Sequence, residues 1–292
     1  MSFATPKLRL YAGAALISLS PVWVKLVSVS ATTSGFYRVA FGGVALTMYL
    51  LLRRRKVNFS AAIWRMLFIA AVFFALDLWF WHRSINIVGP GLSTLLANFQ
   101  VFFMMLAGLV LYRQAPRPAQ VVAVPLALVG LAMIVGFDWR GLAADYRLGI
   151  VFGLLTAVAY AGYLLTMRAL RDAADRRLPV REIAMMSLMV AAILGTSALV
   201  EGQSLAIPTL TDAGWLLAYG LLSHSLGMIL IASSLPQVTP TDAGIALLLQ
   251  PTLSFLWDVL FFARPMSAVE LAGAALALFA IWLGARQRSQ QA

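Results

Sequence analysis

The chain has 292 residues, of which 62% are hydrophobic and only 11% are charged, and its mean hydropathy is +0.88. Because soluble domains carry roughly 25% charged residues, this composition excludes a water-soluble fold and indicates an integral membrane protein. The net charge of +11 would suggest a nucleic-acid ligand in a soluble protein, but here the basic residues lie mainly between apolar runs, so we expect a lipid bilayer and no nucleic acid as partner.

Ten apolar runs are long enough to cross a bilayer, which takes about 20 mostly apolar residues per helix. We predict spans at residues 8–27, 33–52, 63–81, 92–112, 119–137, 148–167, 183–200, 213–233, 243–262 and 269–285. The first run follows two basic residues, as the apolar part of a signal peptide would, but no convincing cleavage site follows it. We therefore interpret it as the first span and predict an all-α integral membrane protein with ten transmembrane helices.

The distribution of basic residues predicts the orientation. With a cytoplasmic N-terminus, most of the 22 Lys and Arg residues fall in cytoplasmic segments, as the positive-inside rule requires. An even number of spans then places the C-terminus on the same side. The connections are short, and no obligate protein partner is evident.

Two stretches share a layout that predicts an internal repeat. Residues 84–113 and 240–264 each contain a break, an apolar run with a central amide side chain, and a closing arginine. We predict a first five-span repeat at 1–138, a linker at 139–147 and a second five-span repeat at 148–292. Because five is odd, the second repeat enters the membrane inverted, as in secondary transporters that bind substrate near the midplane and work by alternating access.

Four polar side chains are expected near the midplane from the helical rise of about 1.5 Å per residue. They are Ser20, Gln100, His224 and Gln250. Such side chains are costly at that depth unless they face protein or water, so we expect them to surround a central cavity that binds substrate. Asn98 is a further candidate, but it points about 200° away from Gln100, and the sequence does not decide which of the two faces the cavity.

Aromatic residues recur at helical spacing beside these polar groups. Tyr160 and Tyr163 share a face of the sixth span, and Ser254 and Trp257 share a face of the ninth. With Trp79 of the third span, they predict cavity walls suited to a flat, amphipathic organic solute. The alternative is that such rings are packing or interfacial-belt residues, which applies to Trp79 in particular because it lies near the outer boundary.

Charges inside apolar runs are expensive unless they find partners. We expect Arg38, in the outer third of the second span, to pair with Asp77, in the outer half of the third, as a structural ion pair or an outer gate. Neither a basic nor an acidic residue is expected at the midplane itself. This disfavours strongly anionic substrates such as nucleotide sugars, cationic drugs, and tight proton coupling.

The sequence shows no signature of catalysis or of ATP hydrolysis. It has no GxxxxGK[ST] loop, no cysteine, and two histidines that are not at metal-binding spacing. His224 beside Ser223 and Ser225 is a weak hydrolase candidate, because adjacent residues on a helix point about 100° apart. We predict a protein that is not an enzyme and has no cofactor or metal, with a membrane-embedded enzyme or a channel as the alternative.

Five short motifs carry a resemblance to a known family over nearly the whole chain. They are VWVK ending at Lys25, FYR ending at Arg38, SINI from Ser84, STLL from Ser93, and the QP pair at Gln250. The chain resembles the drug/metabolite transporter superfamily, in its EamA-type ten-helix branch, and is most similar to the YddG-type aromatic amino acid exporters of bacterial inner membranes.

This resemblance implies two inverted five-helix repeats around a central cavity, and export of phenylalanine, tyrosine and tryptophan from the cytoplasm. A carrier of the same fold for another amino acid, drug or metabolite is the alternative within the family.

Overall fold

The computed structural model describes residues 5–55, 57–136, 138–173 and 180–285, and every regular element within these ranges is helical. The first half contains α1 (Pro6–Ser18), α2 (Ser20–Leu26), α3 (Ala31–Leu52), α4 (Ala61–Val88), α5 (Pro90–Ala97), α6 (Gln100–Tyr112) and α7 (Pro118–Val135). The second half contains α8 (Ala144–Ala173), α9 (Val180–Val200), α10 (Leu210–Ala218), a π-helix (Tyr219–Gly227), α11 (Met228–Ser234), a 3-10 helix (Leu235–Gln237), α12 (Pro240–Phe262) and α13 (Ala268–Ala285). The all-α prediction is confirmed.

Nine helical stretches in the described ranges are long and apolar enough to cross a bilayer. Two of these stretches are composite, because α5 continues into α6, and α10 continues through the π-helix into α11. The predicted span at 8–27 is divided between α1 and α2, each of which is too short to cross alone. The chain is therefore a multi-pass membrane protein.

The predicted first span bends between α1 and α2, where Pro21 lies at the start of α2. Proline has no N–H and its ring clashes with the preceding turn, so α1 and α2 are separated by one residue. Two carbonyls of α1 near the bend accept hydrogen bonds from distant hydroxyls: Ser223 donates to the Leu16 carbonyl at 2.7 Å, and Ser254 donates to the Ser18 carbonyl at 3.1 Å. Side chains from the second half therefore stabilise a bend in the first.

The helix contacts are matched between the two halves. The helix α3 packs along α9, and α7 packs along α13. The packing of α4 along α8 has its counterpart in the packing of α1 along α11 and the π-helix. The contact between α4 and α9 has its counterpart in the contact between α3 and the π-helix. Exchanging the first five predicted spans with the last five leaves the α3–α9 and α7–α13 contacts unchanged and turns each of the other contacts named here into another observed one. Two structurally related halves produce this pattern, while the exact limits of the repeats at 1–138, 139–147 and 148–292 stay a prediction.

The turn between α4 and α5 depends on a glycine. Gly89 has a φ of +88°, a region that L side chains rarely adopt, and a Cβ there would lie 2.9 Å from the Asp258 carboxylate. This carboxylate, on α12, accepts the Gly91 N–H at 2.9 Å and lies 3.5 Å from the Arg264 guanidinium. Asp258 thereby fastens the end of α12 to the start of α5.

Candidate functional site

A buried guanidinium lies where α3 contacts α4 and the π-helix. Arg38 is only 6% exposed, and its Cζ lies 5.8 Å from the Phe74 ring centroid, 5.5 Å from that of Trp81 and 5.1 Å from that of Tyr219. Aromatic rings attract cations at such distances, which offsets part of the cost of burying the charge. The Arg38 Nε has no hydrogen-bond partner among the described residues, so the guanidinium is held in place with an unused donor.

Asp77 lies on the same face of α4, between the two rings that Arg38 contacts. Phe74 is three residues before it and Trp81 four residues after it. Since the guanidinium reaches both rings, it lies at the level of Asp77, about 16 Å from the Val88 end of α4 by the helical rise. The helix runs to Val88 rather than ending at residue 81 as predicted, so Asp77 lies farther from the end of its helix than the sequence suggested. The absence of a charged group at the midplane stays a prediction.

Arg38 and Asp77 face one region without touching. Both residues are described, and no ion pair within 4.0 Å joins them. The Asp77 side chain is 7% exposed, senses the charge of Arg38, and accepts no hydrogen bond from any residue in the described ranges. The ion pair expected from the sequence stays a prediction, for a state in which the two side chains approach each other.

A chain of hydrogen bonds links α3, the π-helix and α4. Arg38 Nη1 donates to the Tyr219 hydroxyl at 3.1 Å, this hydroxyl lies 3.1 Å from His82 Nε2, and His82 Nδ1 lies 2.7 Å from the Leu78 carbonyl. A carbonyl can only accept, which assigns the proton of His82 to Nδ1. Nε2 is then an acceptor and the Tyr219 hydroxyl donates to it. This series of hydrogen bonds is complete when the His82 imidazole is neutral and the Arg38 guanidinium is charged.

His224 lies against the same Phe74 ring as Arg38 but belongs to a second series of hydrogen bonds. The Ser187 hydroxyl donates to the Ile183 carbonyl at 2.7 Å, so its oxygen accepts the Nε2–H of His224 at 2.8 Å. The Nδ1 of His224 is left as a buried acceptor without a partner among the described residues. The imidazole stacks 6.2 Å from the Phe74 ring, and α3 makes room for it at Gly42, where a Cβ would collide with the ring.

The two tyrosines predicted from the α8 stripe lie beside the two charges. The Tyr163 ring centroid lies 5.4 Å from that of Tyr160 and 4.9 Å from that of Phe74. Tyr163 is buried and Tyr160 is half-buried, and both Arg38 and Asp77 lie within electrostatic range of the Tyr160 hydroxyl. The structure therefore brings together five of the predicted residues (Arg38, Asp77, Tyr160, Tyr163 and His224). We call these five, together with Phe74, Trp81, His82 and Tyr219, the central cluster.

Three other predicted residues lie at the bend of the first span instead. Trp257 Nε1 donates to the Ser18 hydroxyl at 2.9 Å, and Ser254 donates to the Ser18 carbonyl. Ser20 is fully buried, and its hydroxyl has no partner among the described residues. Ser254 and Trp257 are thus engaged in fastening α12 to α1, and Ser20 retains free hydrogen-bonding capacity.

The three amide side chains differ in their surroundings. Asn98 donates to the Thr94 carbonyl of its own helix at 2.8 Å, at the junction of α5 and α6. Gln100 is 7% exposed and its Oε1 has no partner in the described structure. Gln250 is half-buried and precedes Pro251 inside α12. The sequence could not decide between Asn98 and Gln100, and of these two Gln100 is the one whose unpartnered acceptor is buried.

Trp79 belongs to a separate charged cluster at the start of α3. Its Nε1 donates to the Glu201 carboxylate at 2.6 Å, and the Arg83 Cζ lies 3.5 Å above its ring. Glu201 also accepts from Arg83 at 2.7 Å, from Thr32 at 2.8 Å and from Ser197 at 2.9 Å. We call these five residues the Glu201 cluster.

The pKa of Glu201 reflects this environment. Partial burial raises the pKa, but the hydrogen bonds from Trp79, Thr32 and Ser197 and the charge of Arg83 outweigh burial and hold it below its ordinary value. The carboxylate is therefore ionised at neutral pH, and the cluster ties together α3, α4 and the end of α9.

Sequence reasoning missed four residues of the central cluster: Phe74, Trp81, His82 and Tyr219. Phe74 and Trp81 could have been found, since they share the face of Asp77 at helical spacing. Tyr219 and His82 had no such signal, because their partners come from other helices. Within the described ranges, no three His, Asp or Glu side chains come together as metal ligands.

Comparisons with known proteins give one matching family and a similar solved structure. The sequence profile of the EamA-like transporter family matches residues 8–136 and 147–285. No curated protein matches the chain. Among solved structures, a chain described only as "Crystal structure of protein" is similar over 97% of this chain and 99% of its own length, with a TM-score of 0.68 and 18% sequence identity. At this identity the likeness shows the fold alone.

Proposed function

Because the chain belongs to the EamA-like transporter family, whose members carry small molecules across membranes and are not enzymes, we propose that it is a secondary transporter that exports aromatic amino acids from bacteria. The proposed substrates are phenylalanine, tyrosine and tryptophan. The proposed membrane is the bacterial inner membrane, with both chain ends in the cytoplasm.

The central cluster is the observation that carries this proposal. It combines two side chains of opposite charge, three tyrosine hydroxyls and two imidazoles with the rings of Phe74 and Trp81, among α3, α4, α8 and the π-helix. A permanent structural core would satisfy its buried polar groups. Here a guanidinium nitrogen of Arg38 and an imidazole nitrogen of His224 lack partners among the described residues, as expected for groups that bind a polar solute.

We further propose that α1 and α2 together form a tenth span, and that two inverted five-helix repeats surround a central cavity. In this arrangement the contacts between the halves open and close in turn on the two sides of the membrane. The Glu201 cluster would then close the periplasmic side. It holds α3 and α4 to the end of α9, which a state open to that side must separate.

The test is counterflow of labelled tryptophan or phenylalanine in proteoliposomes that contain the purified protein. We expect saturable exchange by the wild type. Exchange should fall at least tenfold in Tyr163→Ala, His224→Ala and Gln250→Ala. The matched control is Phe279→Ala on α13, an aromatic residue that is 50% exposed and should exchange normally.

Each outcome is informative when all preparations are monodisperse. A wild type without exchange would contradict the aromatic substrate and favour a different amino acid, drug or metabolite, tested with a wider panel. Normal exchange by all three variants would keep the substrate and contradict the assigned site. Conductance far above carrier turnover would indicate a channel.

A further inference from the structure

Arg38 and Asp77 are two opposite charges that are buried in one place and not paired. Arg38 is 94% buried and Asp77 is 93% buried, and the guanidinium lies at the level of the carboxylate. A buried ion without a partner is strongly unfavourable, and either a direct contact between the two side chains or protonation of the Asp77 carboxylate relieves this cost. The structure instead engages Arg38 with Tyr219 and three rings, which keeps it from closing on Asp77.

The groups around these charges define what could fit between them. The Tyr160 ring stacks on that of Tyr163, which packs on Phe74, and the Phe74 ring in turn lies against the Arg38 guanidinium. The region therefore offers a hydrogen-bond donor of positive charge, an acceptor of negative charge, and an adjacent aromatic wall. These three features match the three parts of an aromatic α-amino acid, which are its carboxylate, its ammonium group and its ring.

We infer that Arg38 and Asp77 dock the two charged ends of a zwitterion, with the substrate carboxylate on the guanidinium and the substrate ammonium on the Asp77 carboxylate. This assignment rests on the proposed function and adds the residues that bind the carboxylate and ammonium groups of the amino acid. Each buried charge gains the counter-charge that it lacks in the free protein. A ligand that carries only one charge leaves the other residue unpaired, and such a loss costs far more than a missing apolar contact.

The test uses three probes that share one indole ring: tryptophan, its decarboxylated amine tryptamine, and its deaminated acid indole-3-propionate. Each unlabelled probe competes against labelled tryptophan in proteoliposome counterflow. For the wild type we expect both single-charge probes to compete at least tenfold less well than tryptophan.

Two substitutions should change this preference in opposite directions. In Asp77→Asn, the potency of indole-3-propionate as a competitor, relative to that of tryptophan, should rise tenfold or more, while that of tryptamine should not rise. In Arg38→Gln, the relative potency of tryptamine should rise and that of indole-3-propionate should not. Phe279→Ala, an exposed aromatic position on α13, should leave the ranking of the three probes unchanged. If Arg38→Gln is not monodisperse, Asp77→Asn decides the question alone.

Three results would overturn the inference. The first is a uniform loss of exchange in both variants with an unchanged ranking, which would make the two charges structural. The second is an unchanged ranking in Asp77→Asn together with loss of the response to a pH gradient, which would make Asp77 a proton site. The third is a wild type that does not discriminate among the probes.

A wild type that exchanges no amino acid contradicts the proposed function and is a separate result. The inference is then judged by thermal unfolding of the purified protein with the same three probes. It survives only if tryptophan raises the unfolding temperature more than the amine and the acid do.

Discussion

The substitution Glu201→Gln removes one negative charge from the Glu201 cluster without changing its shape. The carboxylate accepts four hydrogen bonds, from Thr32, Trp79, Arg83 and Ser197. A glutamine has one acceptor oxygen, so if that oxygen keeps Thr32 and Arg83, the Trp79 N–H is left facing an amide NH₂ group.

The expected cost follows from these contacts. The lost Trp79 hydrogen bond is one to a charged group and costs about 1.5 kcal/mol, and the bond from Arg83 weakens from a charge-assisted one to an ordinary one, for about 1 kcal/mol more. The Arg83 and Glu201 side chains are 20% and 24% exposed, so solvent screens part of the ion pair. We expect Glu201→Gln to lower the free energy of unfolding by about 2 kcal/mol.

The measurement is equilibrium unfolding of the purified protein in mixed micelles of increasing SDS fraction. Glu270→Gln is the matched control, because Glu270 is 26% exposed and accepts one backbone hydrogen bond, from Ser267, with Arg264 at 3.8 Å. This control should cost less than about 1 kcal/mol. Equal costs for the two substitutions, or a coupling energy between Arg83 and Glu201 below about 0.5 kcal/mol in a double-mutant cycle, would refute the reasoning.

Two further predictions concern pH and packing. Since the pKa of Glu201 is lowered from 4.5, its contribution to stability is fully present above about pH 4.5 and is lost as pH falls through the depressed value; the SDS midpoint of the wild type should fall there more than that of Glu201→Gln. Gly42→Ala should push His224 aside and cost about 1–3 kcal/mol, whereas Gly214→Ala, where a Cβ meets nothing within 4 Å, should not destabilise the protein in the same assay.

Regular helical periodicity explains which parts of the site could be predicted. The Tyr160–Tyr163 stripe is read correctly because α8 is an uninterrupted α-helix. Tyr219 was missed because span eight is a π-helix at that point, in which residues five apart share a face. Tyr219 and His224 therefore lie on one side and are both fully buried, a relation that a period of 3.6 residues cannot reveal.

Contacts between distant segments explain the remaining differences. Trp79 carries the same signal in the sequence whether it faces a substrate or a carboxylate 122 residues away. Ser254 and Trp257 share a helical face as predicted, but what they face was set by the bend at Pro21, whose partners no local pattern identifies. The end of α4 was misjudged because the apolar run ends before the helix does.

The bend of the first span has a consequence for how the protein is made. The Leu16 and Ser18 carbonyls accept hydrogen bonds from the hydroxyls of Ser223 and Ser254, which leave the ribosome some 200 residues later. In the bilayer a carbonyl without a partner is costly. The hydrogen bonds at this interruption are therefore completed only when the eighth and ninth predicted spans have been synthesised, so α1 and α2 reach their final structure late in synthesis.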